Sequence, residues 1–545
     1  TFDTIGGVTI PELNAIKDNI MNITQTDETS IIKWKDFSIG ADAIVNFTRE
    51  NGGPFNSLNF VNSGAVSEIY GQLTALGGNI FIANPAGVQI GNSAQINVGS
   101  LYVTNKDIEK AVDSLKGKDA EEIRETIAGL NTGTNAQLMS LGAITNATNV
   151  TFDGARIVLD TDRIYTANKT TGELEQVNGD WFKTGLDIIT TDKDNVVLGY
   201  TKDDTAASFD GFDIKVVDDA GTITDDTLDH GYMWVHDLEE LRAMGNVENL
   251  NGWYALRNSI DANSTVNDNF NPIGSGGEAF KGRFDGLGYS IFGLNVNVKE
   301  DTDAAGLFGF ATDAHIKNFT LNGGTITGGE YIGAAVGSAS GGVIENITNT
   351  ASVSGTGAEY REDGSISDGG VGGIVGYAGG TTMSGLINIG TITGTDDSIN
   401  VGGIVGNMSD GTLTGETYNL GSVTGGWNIG GIAGQMTNGA KIGNDGSNAC
   451  QSYNQLNVEG KYNVGGIAGT LSGGTITNAA NYGNVTAEGH TKDTYEYHTA
   501  AAQDNLGGAT LKGNLASIEV KAANAGVIAG HTEKSAEISN VVNQG

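Results

Sequence analysis

The residues with most chemistry to offer are six histidines, one cysteine and 65 acids, and their spacing withholds most of it. His230, His236, His315, His490, His498 and His531 never form the pair around a glutamate that would set two imidazoles and a base on one helix face. Cys450 stands alone, so neither an intrachain disulfide nor a cysteine-based zinc site can form. Carboxylates crowd at Asp301 to Asp303, at Glu359 to Asp363 and at Asp396 with Asp397, all in turn-rich stretches. Cleaving a polysaccharide needs paired carboxylates with a basic partner, and no lysine or arginine recurs at a matching place. Lys281 and Arg283 have no acid at a telling distance, and no calcium-loop pattern occurs. The sequence therefore names no catalytic residue, no cofactor-binding residue and no metal ligand. With 29 basic residues against the 65 acids, the net charge of −36 repels phosphate backbones, which excludes nucleic acid as a partner. Paired threonines such as Thr325/Thr327, Thr391/Thr393, Thr412/Thr414 and Thr475/Thr477 could order water if aligned. Their offsets from the nearest repeat put them on different faces.

Those side chains must sit on something, and the repeats say what. One phrase recurs at Val371-Gly-Gly-Ile-Val-Gly376, Val401-Gly-Gly-Ile-Val-Gly406, Ile429-Gly-Gly-Ile-Ala-Gly434 and Val464-Gly-Gly-Ile-Ala-Gly469, with weaker copies ending at Gly309, Gly337 and Gly530. A second recurs at Asn388-Ile-Gly-Thr-Ile-Thr-Gly394, Asn419-Leu-Gly-Ser-Val-Thr-Gly425 and Asn481-Tyr-Gly-Asn-Val-Thr486. Each alternates small polar residues with Ile or Val, which is strand periodicity, and each is too short to bury an apolar face alone. Stacked coils bury it together, so the phrases predict an all-β chain folded as a parallel β-helix, a β-solenoid. The 84 glycines supply tight corners, and only 4 prolines argue against collagen or a disordered linker. No run of 18 apolar residues predicts a membrane-spanning helix. Thr1 opens without a basic-then-apolar leader, so a mature or trimmed chain is expected.

The lead-in Trp253-Tyr-Ala-Leu-Arg-Asn-Ser-Ile-Asp261, Asn271-Pro-Ile-Gly274 and Phe280-x-Gly-x-Phe-Asp-Gly-x-Gly288, with the phrases after it, resembles the GLUG-repeat arrays of bacterial surface proteins. Nearer the start stand Ile32-Lys-Trp-Lys-Asp-Phe-Ser-Ile-Gly40, Val45-Asn-Phe47, Ile69-Tyr-Gly-Gln-Leu73, Gly78-Asn-Ile-Phe-Ile-Ala-Asn-Pro-Ala-Gly-Val-Gln-Ile-Gly91 and Ala94-Gln-Ile-Asn-Val-Gly-Ser-Leu101. In that order they resemble the secretion domain of two-partner-secretion exoproteins, the filamentous-haemagglutinin family. Members carry Asn-Pro-Asn-Gly-Ile where this chain has Asn84-Pro85-Ala86-Gly87-Val88, so position 86 departs from the pattern, and the second Asn-Pro-Asn-Leu motif of some members is absent. The resemblance implies a right-handed helix, a secreted or cell-surface Gram-negative adhesin, and a partner in the periplasmic domains of an outer-membrane transporter. It also implies that Asn84, Pro85 and Gly87 serve transporter recognition or secretion. Asn84→Ile is then expected to cut secretion while near-normal stability is kept.

The expected organisation is a secretion domain over 1–104, a helical hairpin insertion over 105–130, continuing β-helix over 131–175, an irregular acidic bridge over 176–250 and a GLUG-repeat shaft over 251–545. In the insertion Ile108, Ala111, Val112 and Leu115 share one face, Gly117 breaks the run, and Asp119 with Glu122 makes a capping-box restart ahead of Ile123, Ile127 and Leu130. Removal of 106–130 is expected to leave the solenoid folded. A short helix is expected at Asp237–Met244. Roughly 25 residues per coil would give about 20 coils and on the order of 100 Å of axis, an elongated monomer. The receptor, on a host cell, another bacterium or matrix, is not named by the residues, nor is a glycan, and the binding tip is expected beyond residue 545. Two other functions stay open: a β-helical carbohydrate-active enzyme, favoured by acids clustered with a base in one groove, and the stalk of a contact-dependent toxin-delivery protein.

Overall fold

Short strands of alternating Ile, Val and small residues pair with the equivalent strand one coil away, and the computed structural model is built largely from such ladders. It describes residues 2–5, 7–9, 18–131, 135–167, 173–177, 185–201, 212–217, 223–228, 231–298, 304–358, 367–443, 452–488, 510–512, 525–526, 528–532, 536–539 and 541–543. Cys450, His230, His490, His498, the acids at 301–303 and at 359–363, and the C-terminal end of the secretion-to-shaft organisation at 544–545 lie outside the described residues. Contacts divide the chain into two compact units, Thr1–Trp234 and Val235–Gly545. Both are stacked parallel ladders, so the chain is an all-β parallel β-helix with a small helical insertion.

In the first unit one ladder runs Thr29–Trp34, Phe55–Val61, Gln72–Ala83, Gln95–Thr104, Val150–Asp153 and Leu186–Thr190, every step parallel. A second runs Ser67–Ile69, Val88–Ile90, Gln137–Ser140, Arg156–Asp160 and Val196–Tyr200. Antiparallel pairing of Phe2–Ile5 with Thr29–Trp34, and of Val8–Thr9 with Ile20–Gln25, meets the first coil. The stretch read from the sequence as an irregular bridge thus contains strands at 186–190 and 196–200 in register with the coil before them. Asp192, in the turn between them, caps the 3₁₀ turn Lys193–Asn195.

The first ladder is buried on both faces, which requires a cover on each. One face fills the coil interior. The other presents Ile31, Leu58, Phe81 and Tyr102 in register, and the insertion packs on them through Ile108, Ala111, Leu115, Ile123 and Ile127. The insertion forms a 3₁₀ turn at Glu109–Ala111 and helices at Val112–Leu115 and Ala120–Ala128; Asp119 caps the last, its side chain accepting from the Glu122 N–H at 2.9 Å while Glu122 reaches back. This packing argues against the expectation that 106–130 is dispensable, since its removal would uncover Leu58, Phe81 and Tyr102, all at most 2% exposed.

In the second unit the recurring phrases stack in register. Ile332, Val371, Val401, Ile429 and Val464 form one inward ladder, and Val336, Val375, Val405, Ala433 and Ala468 another. The glycine after the first of these is needed for close approach: a Cβ at Gly372, Gly402, Gly430 or Gly465 would run into the carbonyl oxygen of Val375, Val405, Ala433 or Ala468. None of the four has a positive φ, so the corner demands space and not left-handed backbone. The phrase Phe280-x-Gly-x-Phe284 plants two rings in the core, where Phe280, Phe284, Phe308 and Phe319 touch at centroid distances of 4.9 to 5.4 Å. The short helix forms at Leu238–Ala243, with Asp237 as its cap.

Candidate functional site

The Asn84 turn links the strands Gln72–Ala83 and Val88–Ile90 at a coil corner. Proline at its second position fixes φ, and the Gly87 N–H donates to the Asn84 carbonyl at 2.9 Å to close a four-residue turn. The Asn84 Oδ1 accepts the Ala86 N–H at 2.9 Å, while Nδ2 donates to the Ala65 carbonyl and to Ser67 Oγ, both at 2.9 Å. Its backbone N–H donates to Thr104 O at 3.0 Å. One buried side chain thus holds its own turn and the preceding coil, while its backbone reaches the next. Gly87 has φ +107°, and a Cβ there would lie 2.7 Å from Gln137 O. Position 86 contributes to this network only its N–H, which explains how alanine replaces the family's second asparagine without loss of a turn bond. Asn84 is fully buried, so the expectation of near-normal stability after Asn84→Ile does not fit: a branched apolar side chain would forfeit three hydrogen bonds and strand the Ala65 carbonyl.

A second group was not legible from spacing. Lys106, Asp153 and Tyr102 are each at most 2% exposed, at the base of the insertion. Lys106 Nζ lies 3.0 Å from Asp153 Oδ2 and donates to the Ala128 carbonyl at 2.8 Å and to Ile127 O at 3.3 Å; the Tyr102 hydroxyl donates to the same carboxylate at 2.6 Å. Burial pushes the Asp153 carboxyl above its ordinary value, against the pull of Lys106 and of the tyrosine bond, and burial with the neighbouring carboxylate pushes the Tyr102 phenol well up. The ammonium meets three acceptors and no open space. Its role is to fasten the C-terminal end of the helix Ala120–Ala128 to the sheet.

The remaining sequence candidates are not assembled. His236 lies against Glu240 and His315 against Glu345, in different coils. Arg283 stacks over Trp253 at 4.3 Å, and Lys461 pairs with Asp396 at 3.1 Å. Asp285, from the Phe-Asp-Gly phrase, accepts the Leu287 N–H at 2.9 Å and an Asn318 amide hydrogen at 3.0 Å, which makes it a turn residue.

Residues 12–267 match the family model described as "TPS secretion domain". The chain carries a two-partner-secretion domain. The motifs read from the sequence end at 104, whereas the match continues to 267, through the insertion and the coils after it. A heme/hemopexin-binding protein of Haemophilus influenzae strain Rd is 35% identical over 116 residues, 20% of this chain and 13% of that protein. A second Haemophilus influenzae protein of that name is 41% identical over 105 residues, 19% and 11% of the two chains. Halomucin of Haloquadratum walsbyi is 33% identical over 132 residues, 22% of this chain and 1% of its own length. The alignment spans less than one seventh of each of these relatives. The secretion domain of HMW1 from Haemophilus influenzae, a solved structure, aligns over 99% of both chains at 14% identity with a TM-score of 0.23, which adds nothing to the fold described above. A protein with this domain is secreted or displayed at the cell surface.

Proposed function

We propose that the chain is an adhesin of a two-partner system, exported by a cognate outer-membrane transporter whose periplasmic domains read the secretion domain. The family match over 12–267 is the observation that carries this reading. The repeat coils of the second unit, which resemble GLUG repeats, would present the binding surface to host cells, other bacteria or matrix. No catalytic role is proposed: among the described residues the one acid–base–phenol cluster, Lys106 with Asp153 and Tyr102, is buried and already bonded into the fold. The ligand in the Haemophilus proteins' name is not carried over, given how little of their length is matched.

Asn84, Pro85 and Gly87 are proposed to serve secretion through folding. The Asn84 amide faces no solvent, so the transporter would depend on how fast this corner closes, since it ties the coils on either side together. The test is co-expression of the full chain with its transporter, comparing export of the native protein with that of Asn84→Ala. Export that falls far more than the drop in melting temperature would explain, when set beside a core variant of equal stability, supports the reading. Export that tracks stability alone confines the turn to holding the fold, and export without any transporter overturns the two-partner assignment of this chain.

A further inference from the structure

We propose that a groove of about 630 Å³ in the second unit, beside the Asn271-Pro272 motif, binds a neutral oligosaccharide. The inference rests on the adhesive reading above and names the chemistry of its ligand. The floor is a grid. Asn295 and Asn297 on the strand Ser290–Asn297 pair in register with Thr325 and Thr327 on His315–Gly328. Neighbouring strands lie about 4.8 Å apart and alternate residues about 6.7 Å along, so the floor presents a regular array of amides and hydroxyls. In a chain of net charge −36, none of the described residues lining this groove is charged. Among the described lining residues an anionic ligand finds no cation, and a cationic one no carboxylate.

The asparagines divide into two sets. Asn295 donates to Gly293 O at 2.7 Å and accepts from Thr325 at 2.7 Å, and Asn269 accepts the Asn297 N–H at 2.7 Å, so both hold the fold. Asn267, Asn271 and Asn297, with the Ser275 hydroxyl, line the groove and make no side-chain hydrogen bond among the described residues. A primary amide both donates and accepts, which matches vicinal hydroxyls. Val266, 67% exposed and lining the groove, supplies apolar surface for the C–H face of a sugar ring.

An extended peptide would need a free strand edge, and the floor offers none. The Asn295 N–H goes to Thr265 Oγ1 at 2.8 Å and its carbonyl accepts from Phe270 at 3.1 Å; across the floor, Thr325–Thr327 pair with Ser352–Ser354. Recognition therefore falls to side chains, which favours a hydroxyl-rich ligand over a peptide.

The test screens the full chain on an array of neutral, sialylated and sulfated glycans, then measures hits by calorimetry for the native chain and for Asn271→Ala/Asn297→Ala. Binding of a neutral oligosaccharide, insensitive to added salt and weakened at least about tenfold in the double variant without a change in melting, is the expected result. Binding only to acidic glycans, binding only to a peptide library, no binding to any glycan, or equal affinity of the double variant would each overturn the proposal. Attachment of protein-coated beads to cells separates the two readings. If the native chain attaches and the double variant attaches as well, adhesion stands and the groove falls. If the native chain binds the sugar on the array but no cell, the groove stands and the adhesive reading falls.

Discussion

Asparagine stacks in two separate ladders in this chain, and backbone conformation tells them apart. Asn349, Asn388, Asn419, Asn454 and Asn481 form a buried amide ladder, each Nδ2 donating to the next Oδ1 at 2.8 to 2.9 Å. Each amide also serves its own corner; Asn419 donates to Gly421 O at 2.8 Å. Asn400, Asn428 and Asn463 form a shorter stack at corners with φ of 50° to 63°, a conformation that asparagine tolerates better than other residues with a Cβ. Asn419→Ala would leave partners on both sides unpaired in the interior, so we expect a loss of about 2–4 kcal/mol in urea unfolding. A cost under about 0.5 kcal/mol would mean the ladder is ornamental. Lys106→Met strands Asp153 or forces it to take a proton, at a cost of about 3–5 kcal/mol, and the pair Lys106→Met/Asp153→Leu should recover most of it. A double variant no better than the single would show that the ammonium acts through the helix carbonyls instead. Asp153 also sets a pH dependence. Its folded value lies above the unfolded one, so folding takes up a proton between them and this group's contribution falls as pH rises through that window. The stability of the native chain relative to Asp153→Asn should therefore be greatest at the acidic end, and an excess that grew with pH would reverse the assignment.

The helical insertion is the element whose existence was easiest to read and whose importance was not. Gly117, the Asp119 cap and the two apolar stripes were all visible in the sequence, and the cap forms as its spacing requires. Invisible was the partner. Phe55–Val61 is buried at every position although Asn56, Ser57 and Asn59 interrupt its apolar residues, so its sequence does not say that a second cover lies over it. Lys106 was likewise silent, because a single lysine at a strand end looks solvated until its carboxylate, 47 residues later in the chain, is brought beside it. The ladder was half legible. Asn388, Asn419 and Asn481 stand in a recurring phrase, but Asn349 and Asn454 stand in degenerate copies that only register identifies. At Asn84 the turn chemistry was readable from Asn-Pro-x-Gly, while burial of the amide, set by Ala65 and Ser67 of the previous coil, was not. Deleting 106–130 should now be destabilising. Five buried apolar side chains contribute on the order of 10 kcal/mol by area, an upper bound, and the uncovered sheet should bind a hydrophobic dye. A deletion product with native β-type circular dichroism, cooperative melting and no dye binding would return the insertion to the status of an appendage.

At the scale of the whole molecule, each coil of the repeat region meets its neighbours through the same few positions, so its stability should be a sum of coil and interface contributions. The register makes this testable without guessing boundaries. Val401 and Ile429 hold equivalent places, as do Asn388, Asn419 and Asn454. Excising residues 401–428 joins Asn400 to Ile429, a junction that repeats the native Asn428–Ile429 link at a corner of the same left-handed backbone. Val371 then faces Ile429, Val375 faces Ala433, and Asn388 faces Asn454 across the new interface, each meeting a residue of the kind it lost. The excised protein loses one coil and one interface, while every remaining strand keeps a partner on both sides. It should fold with unchanged β-type circular dichroism and melt within a few degrees of the native chain. Excising residues 401–415 should instead unfold this region, because removing half a coil throws every later side chain out of register and turns buried isoleucines toward solvent. If the two deletions behaved alike, the repeats would not be the unit from which this fold is built.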